Sequence, residues 1–362
     1  MNHSDLDTMR KQLDELNHQL LDLLSRRAEI VQKIGHEKQR QGLPRFDPVR
    51  ESMMLEDLVS RNQGPFDNTT VRYLFKQIFK ASLDLLGEEQ KKHLLVTRKQ
   101  KPEDTVVRVK QVEIGGPSPV LFAGPCTIES YEQMRRIANQ LQSKGISVLR
   151  GGAFKSRTSP YDFQGLGIEG IQILHQVGSE FGMVTVSEVM DVGDLGSIVD
   201  SIDIIEIGAK NMQNFSLLKA VGQLNKPVLL KRGPSATLEE LLLSAEYIVS
   251  CGNDQVILME RGIRTYEKWT QNTLDISSVP ILKKESHLPV LVDVSHSTGR
   301  KDIVTPCAKA ALAAGADGIM VEIHPDPSIA MSDALQQLNF DEFHDFIEQL
   351  RVSGLYRPHT KM

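Results

Sequence analysis

Residues 119–126 read PVLFAGPC, a short apolar run that ends in glycine, proline and cysteine. Similar runs recur roughly every 20 to 35 residues, with helical stretches between them. The seven that follow are SVLRGGAF (147–154), MVTVSEV (183–189), IIEIGAK (204–210), PVLLKRG (227–233), QVILMERG (255–262), PVLVDVSHS (289–297) and GIMVEIH (318–324). Eight apolar runs that alternate with helices predict eight parallel strands, and hence an α/β fold of the (β/α)8 TIM-barrel type.

The main alternative to a barrel is a doubly wound parallel sheet. A GxGxxG motif after the first strand would favour that fold, and none follows residues 119–126. An earlier segment, TVVRVKQVEIG (105–115), predicts an extra strand or hairpin that closes the bottom of the barrel. The sequence therefore favours the barrel.

Cations follow several of the predicted strands. In VLRGGAFKSRTSP (148–160), Arg150, Lys155 and Arg157 lie close together, and no acid appears before Asp162. The later runs add Lys210, Lys231, Arg232 and Arg261. Because the carboxyl ends of barrel strands meet at one mouth, these cations would repel each other unless an anion lies among them. A small ligand carrying phosphate and carboxylate would satisfy them, whereas the simpler interpretation is a set of solvated loop cations in surface salt bridges.

Possible metal ligands collect at the same mouth. Their positions at the strand ends and in one following loop are Cys126, His296, Glu322 and Asp333. A thiolate, an imidazole and two carboxylates suit a borderline divalent ion such as Mn²⁺, Fe²⁺, Co²⁺ or Zn²⁺. Taken singly, the cysteine could be a small buried hydrophobe and His296 a hydrogen-bonded core histidine. His324 is close enough in sequence to compete for the metal.

The first part of the chain has helical rather than strand periodicity. Apolar residues at spacings of three and four predict a long amphipathic helix over residues 5–41. Asp47 and Pro48 suit the N-cap and first position of a second helix, and a third helix is expected from 68 to 86, ending at Gly87. We therefore predict an all-α three-helix domain at 1–87, a charged linker at 88–104 and the barrel at 105–362.

Composition limits the class of protein. The chain has 362 residues and a formal net charge of −5, which argues against wholesale nucleic-acid binding. It contains no stretch as long and apolar as a membrane span and no signal peptide. The three widely separated cysteines form neither a disulfide set nor a CxxC knuckle, so a reducing cytoplasm is expected.

The barrel sequence resembles 3-deoxy-D-arabino-heptulosonate 7-phosphate (DAHP) synthase. The resemblance rests on motifs that appear in order on successive strands: GPCTIES, LRGGAFKSRTSPYDFQGLG, IGAKNMQN, LLKRG, ERGIRTYE, DVSHSTGR and EIHPDP. It implies a phosphoenolpyruvate site at Arg150, Lys155, Lys210, Lys231 and Arg261. It also implies that Arg157 and Thr158 hold the phosphate of erythrose 4-phosphate, and that the four possible ligands hold the metal, with Mn²⁺ as the expected ion. Two departures are Ser156, where the family commonly has proline, and Lys210, where it often has arginine.

The N-terminal segment resembles the small all-helical chorismate mutases, through MRKQLDELN, RRAEI, GHEK and FDPVRE. The resemblance implies that chorismate or prephenate binds to Arg10, Arg27, Lys38, Asp47, Arg50, Glu51 and Ser82. Arg27 and Lys38 are about three helical turns apart and share a face, but Arg10 lies roughly 25 Å before Arg27 along the helix. By resemblance, Arg10 enters the site of a partner subunit in an intertwined dimer. N-capping alone would also explain Asp47, and solvation alone would explain Arg10.

By resemblance, the barrel would join phosphoenolpyruvate to the aldehyde of erythrose 4-phosphate and release phosphate, with a Lewis-acid metal. The catalytic residues of the barrel would be Lys155, as proton donor, and His296, as metal ligand. The catalytic residues of the mutase would be Arg27 and Lys38. The fusion implies feedback inhibition through the helices and a homotetramer. One family position that usually carries glutamine or glutamate is occupied by Leu86, which implies weak mutase turnover.

Alternatives remain open for both parts. The barrel could be a 3-deoxy-manno-octulosonate 8-phosphate synthase, although KSRTS and the fusion argue against it. The helical domain could be a non-catalytic sensor of chorismate or prephenate, or serve only for dimerisation.

Overall fold

The computed structural model describes residues 3–41, 43, 47–91, 94–155, 159 and 161–357. Its contacts divide the chain into two compact units, Met1–Leu94 and Leu95–Met362. In the described part of the chain, none of the helices combines the length and apolarity that a bilayer span requires.

The first unit is helical, as predicted, and contains α1 His3–Arg40, α2 Pro48–Ser60 and α3 Asn68–Lys91. Asp47 caps α2 by accepting a hydrogen bond from the backbone N–H of Arg50 at 3.0 Å, and Pro48 occupies the first turn, which confirms the predicted helix start. The predicted end of α3 is wrong, because the helix continues through Gly87 to Lys91. A glycine inside a helix costs about 1 kcal/mol but does not stop it, and the acidic, Gln and Lys residues that follow are good helix formers.

The packing of the helical unit leaves a long apolar face of α1 exposed. Leu55, Phe79 and Leu86 are buried between the helices. Along α1, by contrast, large apolar side chains remain exposed in the single chain: Leu6, Met9, Leu13, Leu16, Leu20, Leu23, Ile30 and Ile34. A helix of 38 residues draws most of its stability from packing rather than from propensity, so this face is a candidate contact surface.

The second unit is a closed barrel of eight parallel strands, which confirms the predicted fold. The strands are β3 Val120–Gly124, β4 Val148–Arg150, β5 Val184–Glu188, β6 Ile204–Ile207, β7 Val228–Lys231, β8 Val256–Glu260, β9 Val290–Asp293 and β10 Gly318–Glu322. They pair in chain order, and β10 closes the barrel against β3, with Gly318 opposite Val120. Every residue of every barrel strand is buried, as expected for a parallel sheet covered on both faces.

A hairpin plugs the amino-terminal end of the barrel. It consists of β1 Val107–Val109 and β2 Val112–Ile114, which pair antiparallel. Its four apolar side chains join the core cluster formed by residues at the starts of the strands, including Val120 and Val148. The extra hairpin expected from residues 105–115 is therefore present.

Residues 95–104, which sequence analysis places in a linker, hydrogen-bond to the barrel. The backbone N–H of Val96 donates to Glu246 at 3.1 Å, and its carbonyl accepts from the Ser286 hydroxyl at 2.7 Å. The backbone N–H of Arg98 donates to the carbonyl of Glu285 at 3.1 Å. The division between the two units at Leu95 follows from these contacts.

Helices alternate with the barrel strands along the chain. Their bounds are α4 Tyr131–Ser143, α5 Ile168–Phe181, α6 Val192–Ile198, α7 Phe215–Gly222, α8 Leu238–Val249, α9 Ser278–Glu285, α10 Val294–Thr298, α11 Val304–Ala313 and α12 Phe340–Val352. The loops that carry the predicted functional residues all leave the carboxyl ends of the strands, where barrel enzymes place their sites.

Candidate active sites

A cavity of about 410 Å³ opens at the carboxyl ends of the barrel strands. The five cations that the resemblance assigns to phosphoenolpyruvate all line it: Arg150, Lys155, Lys210, Lys231 and Arg261. Arg264, which sequence analysis did not single out, lies in the same lining. The positions assigned to erythrose 4-phosphate, Arg157 and Thr158, lie outside the described residues, as does Ser156.

Buried carboxylates hold two of these cations. The guanidinium of Arg150 pairs with Glu206 at 3.2 Å and with Glu322 at 3.0 Å. The ammonium of Lys231 lies 3.0 Å from Glu206 and 2.9 Å from Asp293. All five side chains are at most 5 % exposed, so each charge depends on its partners.

The pKa values in this network move toward the charged forms. Burial alone would lower the pKa of Arg150, but Glu206 and Glu322 raise it well above its ordinary value. Burial likewise opposes the charge of Lys231, yet Asp293 and Glu206 raise its pKa. The pKa of Glu206 is lowered, because Arg150 and Lys231 outweigh its burial. The network is thus a preorganised set of charges.

Sequence reasoning missed the acids of this mouth. It treated the cations as mutually repelling, whereas Glu206 and Asp293 already compensate part of their charge. The available signal was the glutamate inside the apolar run IIEI, since a charge in a buried strand is nearly always paired. Glu188 at the end of β5 was also missed; it lines the cavity, and its pKa is raised by burial and by Glu206.

Arg232 does not belong with the cations of the mouth, contrary to the sequence analysis. It pairs with Glu260 at 2.9 Å and with Asp275 at 2.8 Å, and it also donates to the carbonyl of Ala236. Successive side chains of a strand point to opposite faces, so Lys231 enters the barrel and Arg232 does not. Arg232 therefore links the end of β7 to the end of β8 and to the loop that follows β8.

The four possible metal ligands come together at one side of the cavity. Suitable atoms of Cys126, His296, Glu322 and Asp333 all lie within 4.8 Å of one another. Nε2 of His296 is 3.1 Å from Oε1 of Glu322, and Sγ of Cys126 is 3.0 Å from Oδ2 of Asp333. One sulfur, one nitrogen and two carboxylates form a donor set that fits a borderline divalent cation.

The surroundings of these ligands orient them. Oδ2 of Asp293 lies 2.8 Å from Nδ1 of His296, which leaves Nε2 facing Glu322. A carboxylate on the other ring nitrogen commonly orients a metal-binding histidine in this way. Burial and the carboxylate of Glu322 raise the pKa of the Cys126 thiol to about 12. The cysteine is therefore a thiol at neutral pH, and a bound cation would have to displace its proton.

His324 is not a member of the metal-ligand group found among the described residues. Its Nε2 lies 3.3 Å from the carboxylate of Glu129, and its Nδ1 accepts from the backbone N–H of Asp326 at 3.0 Å. The competition for the metal that sequence analysis considered is absent in this arrangement, because both ring nitrogens have other partners.

The helical unit has a cavity of its own, of about 180 Å³. Its lining includes six of the residues that the resemblance assigns to chorismate: Arg27, Lys38, Asp47, Arg50, Glu51 and Ser82. Leu86 lines the same cavity. Arg27 donates to the hydroxyl of Ser82 at 2.5 Å and lies over the ring of Phe79, and burial lowers its pKa. Arg10 lies elsewhere on α1, where it is exposed and pairs with Asp7 at 3.4 Å.

Comparison with known proteins gives a family match for each of the two units. Residues 95–354 match the model of the DAHP synthetase I family. The chain belongs to this family. Residues 9–86 match the model of chorismate mutase type II, so the helical unit is a domain of that family.

Individual relatives support the same assignment. The chain is 52% identical to a phospho-2-dehydro-3-deoxyheptonate aldolase of Thermotoga maritima over 72% of its own length and 77% of the relative. A crystal structure of the Thermotoga maritima enzyme, described as a DAHP synthase, matches with a TM-score of 0.70 and covers 72% of this chain and 76% of that one. A 2-dehydro-3-deoxyphosphooctonate aldolase of Syntrophotalea carbinolica is more distant, at 30% identity over 70% of this chain and 98% of the relative.

Proposed function

We propose that the barrel condenses phosphoenolpyruvate with erythrose 4-phosphate to give DAHP and phosphate, and that the helical domain converts chorismate to prephenate. The observation that carries the first activity is the single cavity in which five cations meet a group of metal-ligating side chains. The family membership and the 52% identity to the Thermotoga enzyme agree with it.

The cations of the cavity hold two anionic substrates against their mutual repulsion. The phosphate and carboxylate of phosphoenolpyruvate face Lys155, Lys210 and Arg261. Fixed positive charge comes from the buried wall of the cavity, where Arg150 and Lys231 are held by their acidic partners. Such charge-assisted contacts are stronger than neutral hydrogen bonds and orient the reacting carbons. Arg157 and Thr158 would hold the phosphate of the aldehyde substrate.

A divalent cation fits the group formed by Cys126, His296, Glu322 and Asp333, and we propose Mn²⁺ as the physiological ion, with Fe²⁺, Co²⁺ or Zn²⁺ as substitutes. When bound, it supplies Lewis acidity to an aldehyde oxygen. The protein contributes the orientation of His296 through Asp293, and a buried environment that strengthens each electrostatic contact.

Two cavity residues are suited to proton transfer. The ammonium of Lys155 carries a proton that it can donate to the newly formed hydroxyl. Glu188 lines the cavity, and burial together with Glu206 raises its pKa, so it takes up a proton more readily than an exposed carboxylate; we assign it to the water that adds to the phosphate-bearing carbon. A Glu188→Gln variant should keep its affinity for phosphoenolpyruvate and lose turnover. Unchanged turnover would refute this role.

For the mutase, Arg27 and Lys38 face a small dicarboxylate from one wall of the cavity, and Arg50 stands on another. The rearrangement needs no covalent catalyst, only compact binding and stabilisation of developing negative charge. The exposed apolar face of α1 supports a homodimer in which Arg10 reaches the partner's site. The barrels would then associate these dimers into a tetramer.

Feedback inhibition through the helical domain is testable by truncation. A chain that begins at Leu95 should keep the condensation and lose inhibition by prephenate or chorismate, because an effector acts only by preferring one state of the protein. The solved structure of a truncated form of the Thermotoga maritima synthase is similar to this chain at 48% identity, with a TM-score of 0.68, over 72% of this chain and 95% of that one. Equal inhibition of the truncated and full chains would refute the regulatory role.

The metal requirement has a direct test. Phosphate release from phosphoenolpyruvate and erythrose 4-phosphate should stop after chelation and return when Mn²⁺ is added. Cys126→Ser should need a higher concentration of Mn²⁺ for the same recovery. Full activity of rigorously metal-free protein would overturn the proposed site.

A further inference from the structure

Two consecutive buried glutamines lie next to the metal-ligand group. Gln336 and Gln337 precede α12 and are 3 % and 0 % exposed. Buried amides need hydrogen-bond partners, and these two find them on different sides of the group.

Gln336 hydrogen-bonds to one carboxylate oxygen of Glu322, a possible metal ligand. Its Nε2 donates to Oε2 of Glu322 at 2.6 Å. The other oxygen, Oε1, faces Nε2 of His296 at 3.1 Å and Arg150 at 3.0 Å. The amide therefore fixes the rotation of the carboxylate and leaves Oε1 toward the histidine ligand.

Gln337 joins the loops that carry the other two ligands. Its side-chain oxygen accepts from the backbone N–H of Cys126 at 3.0 Å, and its Nε2 donates to the carbonyl of Ser332 at 2.8 Å. Ser332 immediately precedes Asp333, whose φ of 50° lies in the left-handed region that non-glycine residues seldom adopt. A backbone in that region persists only where its surroundings hold it.

We propose that Gln336 and Gln337 are positioning residues that preset the metal-ligand group. Gln336 directs Glu322 to bind a cation through Oε1 alone, and Gln337 keeps the thiol of Cys126 and the carboxylate of Asp333 at a fixed separation. This inference rests on the proposed metal site and adds the device that assembles it. Partners of this kind typically change metal affinity by about 10- to 100-fold.

The test uses Gln336→Met and Gln337→Met, which keep the side-chain length and remove the hydrogen bonds. The matched control is Asn253→Leu, because Asn253 is also a buried amide that donates to two backbone carbonyls, those of Val221 and Lys226, but it precedes β8 at the other end of the barrel. Full-length protein is stripped of metal, and Mn²⁺ affinity is measured by equilibrium dialysis. Co²⁺ loading is followed through the thiolate-to-cobalt charge-transfer absorption.

Both glutamine variants should bind Mn²⁺ about 10- to 100-fold more weakly than the parent protein, and the control should match the parent. Gln337→Met should also weaken the charge-transfer band, since it releases the Cys126 loop, whereas Gln336→Met should retain the band. Should Gln337→Met fail to fold, Gln337→Glu replaces it; this variant keeps an acceptor for Cys126 and loses the donor to Ser332, so its Mn²⁺ affinity should still fall while the charge-transfer band persists.

Affinities within threefold of the parent in both glutamine variants would overturn the inference, as would equal losses in Asn253→Leu. A parent protein that binds Co²⁺ without a thiolate band would instead refute the metal site itself. The two failures are therefore distinguishable.

Discussion

Leu86→Gln should raise the turnover of the mutase. Leu86 is 8 % exposed and lines the same cavity as Arg27 and Lys38. By family resemblance, an amide or carboxyl at this position helps Lys38 to hydrogen-bond the ether oxygen of the breaking bond, and a leucine offers no donor. Losing one preorganised donor costs about 2.7–4 kcal/mol, or 10²–10³ in rate. Since glutamine is similar in size to leucine, the substitution should recover part of that factor.

The packing around Leu86 limits the gain. A Cβ added at Gly35 would come within 2.5 Å of the leucine side chain, so α1 and α3 approach closely here. Placing an amide in this contact without a ligand costs roughly 1–3 kcal/mol of stability. The bound substrate would offset this cost by accepting the new hydrogen bond.

The assay is the conversion of chorismate to prephenate, with kcat and KM determined separately. We expect kcat to rise by at least tenfold with little change in KM. Leu83→Gln is the matched control, because it adds an amide to another leucine of the same cavity and should not raise kcat. A slower Leu86→Gln enzyme, or a native domain as efficient as mutases that carry the glutamine, would refute the reasoning.

Other perturbations test the barrel. Glu206→Ala should lower the free energy of unfolding by about 3–5 kcal/mol in denaturant titration, because it leaves Arg150 and Lys231 short of a buried partner; a loss below about 1 kcal/mol would contradict the network. Arg232→Met should lower stability while changing the KM for phosphoenolpyruvate much less than Lys231→Met, and the opposite order would return Arg232 to the binding site. Metal binding must displace the proton of Cys126, whose pKa is about 12, so Mn²⁺ affinity should rise about tenfold per pH unit from this group between pH 6 and 8, and a flat profile would exclude thiolate ligation.

The sequence predicted features that depend on local pattern. Strands buried on both faces appear as apolar runs, and all eight runs are strands. The Asp47–Pro48 start of α2 follows from the chemistry of the first helical turn. The convergence of Lys155, Lys210 and Arg261 on one cavity follows from the topology, since parallel barrel strands all end at the same mouth.

The ion pairs between side chains of different strands could not be predicted from local sequence pattern. The contacts of Glu206 with Arg150 and Lys231 join residues far apart in sequence, and only barrel closure and register decide them. The opposite directions of Lys231 and Arg232 could have been inferred from strand alternation. Gln336 has no sequence signal, because its partner is set by the loop that follows β10.

The end of α3 shows the limit of residue propensities. Gly87 is a common residue at helix ends, yet the helix continues to Lys91. A glycine permits an ending but does not impose one, and the residues that follow it favour helix.

The most direct test of the central claim is a competition between the two aldehyde substrates. The Mn²⁺-loaded full chain receives phosphoenolpyruvate with equal concentrations of erythrose 4-phosphate and arabinose 5-phosphate, and the two sugar-acid phosphates are quantified by mass spectrometry. DAHP should form in large excess over the eight-carbon product. An excess of 3-deoxy-manno-octulosonate 8-phosphate, or no product from either aldehyde, would contradict the account.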